Sequence, residues 1–199
     1  MINYKNYPNI PATIEADILQ KVQDCKILFD STNQVAATSK TIEAFNSQRP
    51  VFTDRILGVP FEDASKYYPD TAKFSFIDPP DSLVLWVHEH IGLYSVNIQI
   101  MEHGNYVMPH IDEIRKVALN YLITTGSGIT CIYEPIAEYA NYIVGPQMVF
   151  PPNRIVKTDK ISIDEKRWHT LDVSKIHGVE NLTSKRISVS VSLLSYNLL

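Results

Sequence analysis

The sequence is poor in cysteine and glycine and has no long apolar run. Its 199 residues include two cysteines and seven glycines. Cys25 and Cys131 lie far apart and match no CxxC spacing, so we expect neither a disulfide framework nor a cysteine-based zinc site. No stretch approaches the roughly 18 apolar residues of a membrane-spanning helix, and the polar N-terminus lacks the apolar core of a signal peptide. These absences favour a reduced, cytoplasmic protein with no membrane segment.

The charge balance is slightly acidic. Eighteen basic and 22 acidic residues give a net charge of −4. This balance disfavours nucleic acid as the main partner, because a phosphate-binding surface normally needs an excess of basic residues, although a local basic patch stays open. The hydrophobic fraction of 45% is ordinary for a globular protein. The length predicts one domain, 1–199, that can bury a core without disulfides or a structural metal.

Residues 1–80 are predicted to form a helical and irregular support region. A helix over about 13–29, capped by Thr13, follows from apolar residues at spacings of three and four, namely Ile14, Ile18, Val22, Cys25 and Phe29. A shorter helix is expected over about 40–46. Several prolines then predict an irregular course over 48–80.

From Ser82 onward, the sequence predicts short β-strands with a period of two. They are expected near 93–101, 106–112, 117–124, 129–133, 147–150, 154–157, 168–173, 175–179 and 185–194, with a tyrosine-rich connection over 134–146. Trp86 to His90 is also interpreted as a strand, with His88 and His90 together on a solvent-facing side. Many short antiparallel strands favour a sandwich, jelly roll or barrel, with helices packed outside.

Two histidines and one carboxylate in this β-rich half form a candidate metal site. His110 and Asp112 are two residues apart on a predicted strand, so both project from the same face. His177 follows on a later strand. Two histidines and a carboxylate make the facial triad of non-haem Fe(II) oxygenases, which leaves three coordination positions open.

The last predicted strand carries a candidate anion site. Its apolar residues alternate with Arg186, Ser188, Ser190 and Ser192. If the polar face lines a cavity inside a barrel, Arg186 would pair bidentately with a carboxylate, and Ser188 would donate a hydrogen bond to the same group. Beside a metal, this arrangement suits a dicarboxylic keto acid.

Together, the segments Tyr106–Asp112, His177–Asn181 and Arg186–Ser188 resemble the 2-oxoglutarate/Fe(II)-dependent oxygenase superfamily. The resemblance covers roughly residues 83–195, and its local context looks like the prolyl- and aspartyl-hydroxylase branches. It implies a mainly β fold with flanking helices, the double-stranded β-helix or jelly roll, with residues 81–199 as the catalytic core. It also implies an enzyme that uses O2 to hydroxylate a small-molecule or peptide substrate, with release of succinate and CO2.

The resemblance implies a role for each site residue. His110, Asp112 and His177 would bind Fe(II), and Arg186 with Ser188 would hold the C5 carboxylate of 2-oxoglutarate. Asn120 would either hydrogen-bond 2-oxoglutarate or serve as a satisfied core amide. His169 is a rival of His177, but Arg186 follows His177 at the family spacing. We therefore interpret His169 as a surface or hydrogen-bonding residue.

Two other functions share the same fold. One is a cupin-like metalloprotein that does not use 2-oxoglutarate. The other is a non-catalytic jelly-roll binding or structural protein, which would hold no metal.

Overall fold

Antiparallel strands make up most of the described part of the chain. The computed structural model describes residues 2–32, 73–92, 94–102, 106–112, 116–136, 142–144, 147–150 and 152–193. Within these ranges it contains helices α1 (Ala12–Thr32) and α2 (Asp81–His90) and a 3₁₀ turn, Pro152–Arg154. The strands are β1 (Ile2–Tyr4), β2 (Lys73–Ile77), β3 (Tyr94–Glu102), β4 (Val107–Asp112), β5 (Val117–Thr124), β6 (Ile129–Pro135), β7 (Tyr142–Val144), β8 (Gln147–Val149), β9 (Ile155–Ile161), β10 (Trp168–Asp172), β11 (Ile176–Glu180) and β12 (Arg186–Leu193).

The strands form two six-stranded antiparallel sheets. Sheet 1 has the order β1-β10-β5-β12-β3-β2, and sheet 2 has the order β7-β8-β4-β11-β6-β9. From β3 to β6, and again from β9 to β12, each strand lies in the opposite sheet from the one before it. Successive strands therefore cross back and forth between the two sheets.

One face of sheet 1 is apolar and is covered by the two helices. Ile187, Val189 and Val191 of β12 lie on this face, because residues two apart on a strand project to the same side. They share one buried cluster with Ile18 and Val22 of α1 and with Leu83, Trp86 and Val87 of α2. The ring of Trp86 stacks on that of Trp168 in β10, with centroids 6.2 Å apart and planes 7° from parallel. The helices thus bury the apolar side of the sheet.

The other face of sheet 1 meets sheet 2. At one end of the contact, Met101 of β3 packs against Val179 of β11. At the other end, Ala118 and Leu171 pack against Ile132 of β6. The strand positions between these two apolar contacts carry mainly polar side chains on sheet 1. The space between the sheets is therefore closed by apolar residues at both ends and is polar in its middle.

Apart from the segment Trp86–His90, the structure confirms the predicted strands and the first helix, and it adds strand β7 (Tyr142–Val144) within the segment predicted as a connection. Strand β5 has the predicted bounds, 117–124, and the others differ from prediction mainly at their ends. Helix α1 begins at Ala12, so Thr13 lies within its first turn and is not its N-cap. The predicted helix over 40–46 and residues 137–141 of the tyrosine-rich connection lie outside the described residues. Neither described helix combines the length and apolar character needed to cross a bilayer.

Two predictions for the region around residue 80 are wrong. The segment that contains His88 and His90 is helix α2, not a strand. Its buried residues Leu83, Trp86 and Val87 have helical spacing, and Asp81 lies in the first turn, where a negative charge favours a helix. Within the segment predicted as irregular, Lys73–Ile77 forms β2. Because β1 and β2 are the outer strands of sheet 1, the first 80 residues contribute to the sheet itself.

Glu15 links helix α1 to sheet 1. Its carboxylate is buried and accepts hydrogen bonds from the Tyr121 hydroxyl at 3.0 Å and from Lys166 Nζ at 2.7 Å. We expect Glu15→Ala to lower the free energy of unfolding by about 1–3 kcal/mol, because it leaves the buried Tyr121 hydroxyl without an acceptor. Lys166→Ala should cost only about 0–1 kcal/mol, because the lysine is largely exposed. Urea unfolding measures both, and equal losses would contradict the assignment to Tyr121.

Candidate metal centre

Three predicted ligands converge on the inner face of sheet 2. His110 and Asp112 project from β4, and His110 is the register partner of His177 on β11. One ligand atom from each of the three residues lies within 4.8 Å of the other two. His110 Nε2 is 3.5 Å from Asp112 Oδ1, and both histidines are buried. This cluster could hold a metal ion.

The backbone sets the tautomer of both histidines. Nδ1 of His110 donates to the carbonyl of Met108 at 2.7 Å, and Nδ1 of His177 donates to the carbonyl of Lys175 at 3.0 Å. A carbonyl can only accept, so Nδ1 carries a proton, and in the neutral ring Nε2 is then the nitrogen whose lone pair can bind a metal. This hydrogen bond to the second ring nitrogen is the usual way in which proteins orient a histidine ligand. Two neutral imidazoles and one carboxylate are a donor set that fits Fe(II) and other divalent transition metals.

Gly178 allows β4 and β11 to lie close together beside the cluster. A Cβ atom at this position would be only 2.7 Å from the carbonyl oxygen of Val107 and 3.4 Å from Pro109. A side chain would therefore push the two strands apart. The glycine next to His177 thus helps to bring the two histidines into register.

Arg186 is a buried cation without an anionic partner in the described part of the chain. It is 6% exposed, its Nε has no hydrogen-bond partner, and Nη1 lies 3.4 Å from the carbonyl of Gly128. Burial lowers its pKa to about 10, so the guanidinium still carries its charge at neutral pH. Because a buried charge is costly unless it is paired, this site favours an anionic ligand.

Arg186 faces the same space between the sheets as the candidate metal ligands. A Cβ atom placed on Gly128 would lie 3.2 Å from Arg186 Nη1 and 2.7 Å from Cγ1 of Val179. Val179 is two residues from His177 on β11 and projects from the same face. The guanidinium of sheet 1 and the histidines of sheet 2 therefore line one inter-sheet cavity.

Ser188 and Asn120, the other two predicted ligand-binding residues, lie on the inner face of sheet 1 with Arg186. The hydroxyl of Ser188 donates to Gln99 Oε1 at 3.2 Å, and both residues are buried. Asn120 Oδ1 is buried and has no hydrogen-bond partner. Among the described residues, therefore, the oxygen of this amide is unsatisfied, and the choice between the two roles of Asn120 stays a prediction.

Sequence reasoning missed Gln99 and His169 as members of this polar face. Ser95, Asn97 and Gln99 alternate with apolar residues, but the pattern did not reveal that their side faces a second sheet. His169 is the register partner of Asn120 and is 1% exposed, so the expected surface position is wrong. Its Nδ1 donates to the carbonyl of Arg167 at 3.3 Å, as the hydrogen-bonding alternative predicted. Burial and the nearby charge of Arg186 lower its pKa to about 4, so this imidazole is neutral.

Comparison with known proteins adds little to this description. No protein-family model matches the chain, and no curated protein matches it. Among solved structures, the chain is similar to CapF, whose crystal structure contains the inhibitor 3-isopropenyl-tropolone, with 14% identity and a TM-score of 0.29. The similarity covers 64% of this chain but only 30% of the CapF chain.

We expect the purified chain to bind one divalent transition-metal ion. Outer hydrogen-bond partners of metal ligands already affect affinity by about 10–100-fold, so loss of a direct ligand in His177→Ala or Asp112→Ala should weaken binding by at least that factor. Anaerobic titration calorimetry with Fe(II) and elemental analysis measure the effect. His169→Gln is the matched control, because this histidine is buried nearby but lies outside the cluster. Unchanged metal affinity in His177→Ala would contradict the site.

His169 should make the stability of the protein depend on pH. Its folded pKa of about 4 lies below the ordinary value of 6.5, so the unfolded chain binds more protons between these two values. Its contribution is complete above pH 6.5 and is lost as the pH falls towards 4, with a total on the order of 2–3 kcal/mol. Urea unfolding of wild type and His169→Gln at several pH values tests this. An equally steep loss in both proteins would assign the effect to other groups.

Proposed function

We propose that this protein is an Fe(II)- and 2-oxoglutarate-dependent oxygenase that hydroxylates a small-molecule or peptide substrate. The observation that carries the proposal is the buried Arg186, which has no anionic partner among the described residues and faces the same inter-sheet space as the His110–Asp112–His177 cluster. A metal centre alone does not account for a buried cation. A metal centre that works with an acidic co-substrate accounts for both.

The strand order supports a double-stranded β-helix, or jelly roll, as the fold. Strands β3 to β6 and β9 to β12 alternate between the two sheets, and the later strands are inserted between the earlier ones. For example, β12 pairs with both β3 and β5, and β11 pairs with both β4 and β6. This insertion brings the two ends of the catalytic motif, β4 and β11, side by side.

In this proposal each residue of the cavity has a separate task. His110, Asp112 and His177 hold Fe(II) through three ligands and leave three coordination positions open. When bound, Fe(II) and 2-oxoglutarate supply the oxidising chemistry, in which O2 is consumed, succinate and CO2 are released, and the substrate is hydroxylated. Arg186 pairs with the distal carboxylate of the co-substrate and thereby fixes its orientation relative to the metal.

Neutral polar groups surround the proposed ligand. Ser188 and Gln99 form a hydrogen-bonded pair beside Arg186. Asn120 Oδ1, which has no partner among the described residues, is an acceptor and can bind a donor group of the substrate, but not an oxygen of 2-oxoglutarate. Arg186 is itself buried, and burial strengthens its ion pair with the co-substrate.

A cupin-like metalloprotein without 2-oxoglutarate is the second candidate. The metal cluster stands by itself and does not require Arg186, which in this case would pair with another acid. For either enzyme we propose a cytoplasmic, reduced location, which agrees with the free, buried thiol of Cys131. A non-catalytic binding or structural module would take up no metal.

The proposed oxygenase should show a visible charge-transfer band when 2-oxoglutarate is added to the Fe(II)-loaded protein without oxygen. Arg186→Met should weaken 2-oxoglutarate binding by about 10–100-fold, since a hydrogen bond to a charged group contributes about 1.5–3 kcal/mol. Fe(II) binding should be retained in this variant. Arg154→Met is the control, because Arg154 is an exposed arginine outside the cavity.

Admission of oxygen should then release succinate, and a screen of amino acids, peptides and small metabolites should identify a substrate that stimulates the release. An Fe(II) spectrum that 2-oxoglutarate leaves unchanged, without succinate, would reject the oxygenase and favour the cupin-like alternative. Absence of metal binding would reject both enzymes.

A further inference from the structure

A second cavity lies on the outer face of sheet 2, away from the metal cluster. It has a volume of about 690 Å³ and is lined in part by Tyr133 of β6, Lys157 of β9 and Glu180 of β11. Glu180 is three residues from His177 on the same strand, so the two side chains project to opposite faces. On β6, Ile132 projects towards sheet 1, so the next residue, Tyr133, projects from the outer face. The polar groups of this cavity therefore lie on the outer face, while Val107 borders both spaces because it also packs against Met101 and Val179.

The cavity has an apolar base and a polar rim. Pro109, Tyr133 and Ile155 are buried at its base, and Val107 is half-buried. Asn181 and Thr183 are exposed at its edge. A cavity of this size with apolar walls and a few fixed polar groups is typical of sites for small organic molecules.

The polar groups in the cavity leave hydrogen-bond donors available. Glu180 accepts from the Tyr133 hydroxyl at Oε1, at 2.8 Å, and from Lys157 Nζ at Oε2. Although burial opposes ionisation, these two hydrogen bonds lower the pKa of Glu180, so it is a carboxylate at neutral pH. An ammonium group has three donors. Lys157 uses one of them within the described part of the chain, and the other two are available to a ligand.

The charges restrict the ligand. A carboxylate or another acceptor can bind the remaining donors of Lys157, while its organic body packs against Pro109, Tyr133 and Ile155. The Lys157–Glu180 pair is neutral overall, so one ligand carboxylate depends on the two remaining donors of Lys157 to offset its repulsion by Glu180, and a second carboxylate would have no such donors. We propose that this outer cavity is a binding site for a small monocarboxylate with an apolar or aromatic body, independent of the inter-sheet site and of the proposed oxygenase activity.

Calorimetry with the full chain tests the site, with phenylacetate as the probe. Phenylacetate should bind at one site per chain, whereas neutral phenylacetamide and the dianion phenylmalonate should bind more weakly. Lys157→Gln should weaken phenylacetate binding by about tenfold or more, because it removes a charge-assisted hydrogen bond. Lys160→Gln is the matched control, since this exposed lysine lies on the same strand but does not line the cavity.

Three variants test the site further, and one of them, Arg186→Met, separates it from the inter-sheet cavity. Glu180→Gln should tighten phenylacetate binding and bring phenylmalonate closer to it, because the competing carboxylate is removed. Arg186→Met should leave phenylacetate binding unchanged. Lys157→Met should weaken phenylacetate binding as Lys157→Gln does, because it also removes the charge. Absence of saturable binding to wild type would overturn the proposal. Binding that is lost in Arg186→Met but retained in both Lys157 variants would also overturn it, because the carboxylate would then lie between the sheets.

Discussion

The alternation of apolar and polar residues along β12 is the constraint on which the rest of the structure depends. Its valines and isoleucine lie under the two helices, so the apolar side of sheet 1 is buried without any contribution from sheet 2. Arg186, Ser188 and Ser190 consequently face the opposite sheet and are buried there. A sandwich whose sheets buried apolar residues only against each other would have no room for these polar groups. The helices therefore make a polar interior possible.

The two sheets present different functional groups to the space between them. Sheet 2 presents two imidazoles whose protons are held by backbone carbonyls, together with one carboxylate. Sheet 1 presents a guanidinium whose Nε, and an amide whose oxygen, lack hydrogen-bond partners among the described residues. Unpaired buried groups destabilise a folded protein, and a ligand that pairs with them restores that stability on binding. Such groups concentrate where a protein binds its ligands, which is the reason for proposing a ligand in this space.

The sequence was most informative where a local pattern extends over many residues. Strands β3 and β12 were predicted because their alternation extends over nine and eight residues, and His110 with Asp112 followed from the same period. Helix α2 was missed because Trp86 to His90 is short enough to resemble a strand. Its helical form depends on Leu83 and Val87 packing against sheet 1. The three- and five-residue strands β1 and β2 carry too little periodicity of their own, and they form by pairing with β10 and β3.

The sequence by itself determined which side chains carry chemistry and which of them share a face of one strand, because alternation is a property of a single extended segment. Only the tertiary structure decided that β11 lies beside β4, so that His177 pairs with His110. It also decided that the polar face of sheet 1 is covered by a second sheet, which buries Gln99, His169 and Arg186, and that no described carboxylate pairs with Arg186. Strand neighbours and the covering of a face depend on distant segments, and no local pattern contains that information.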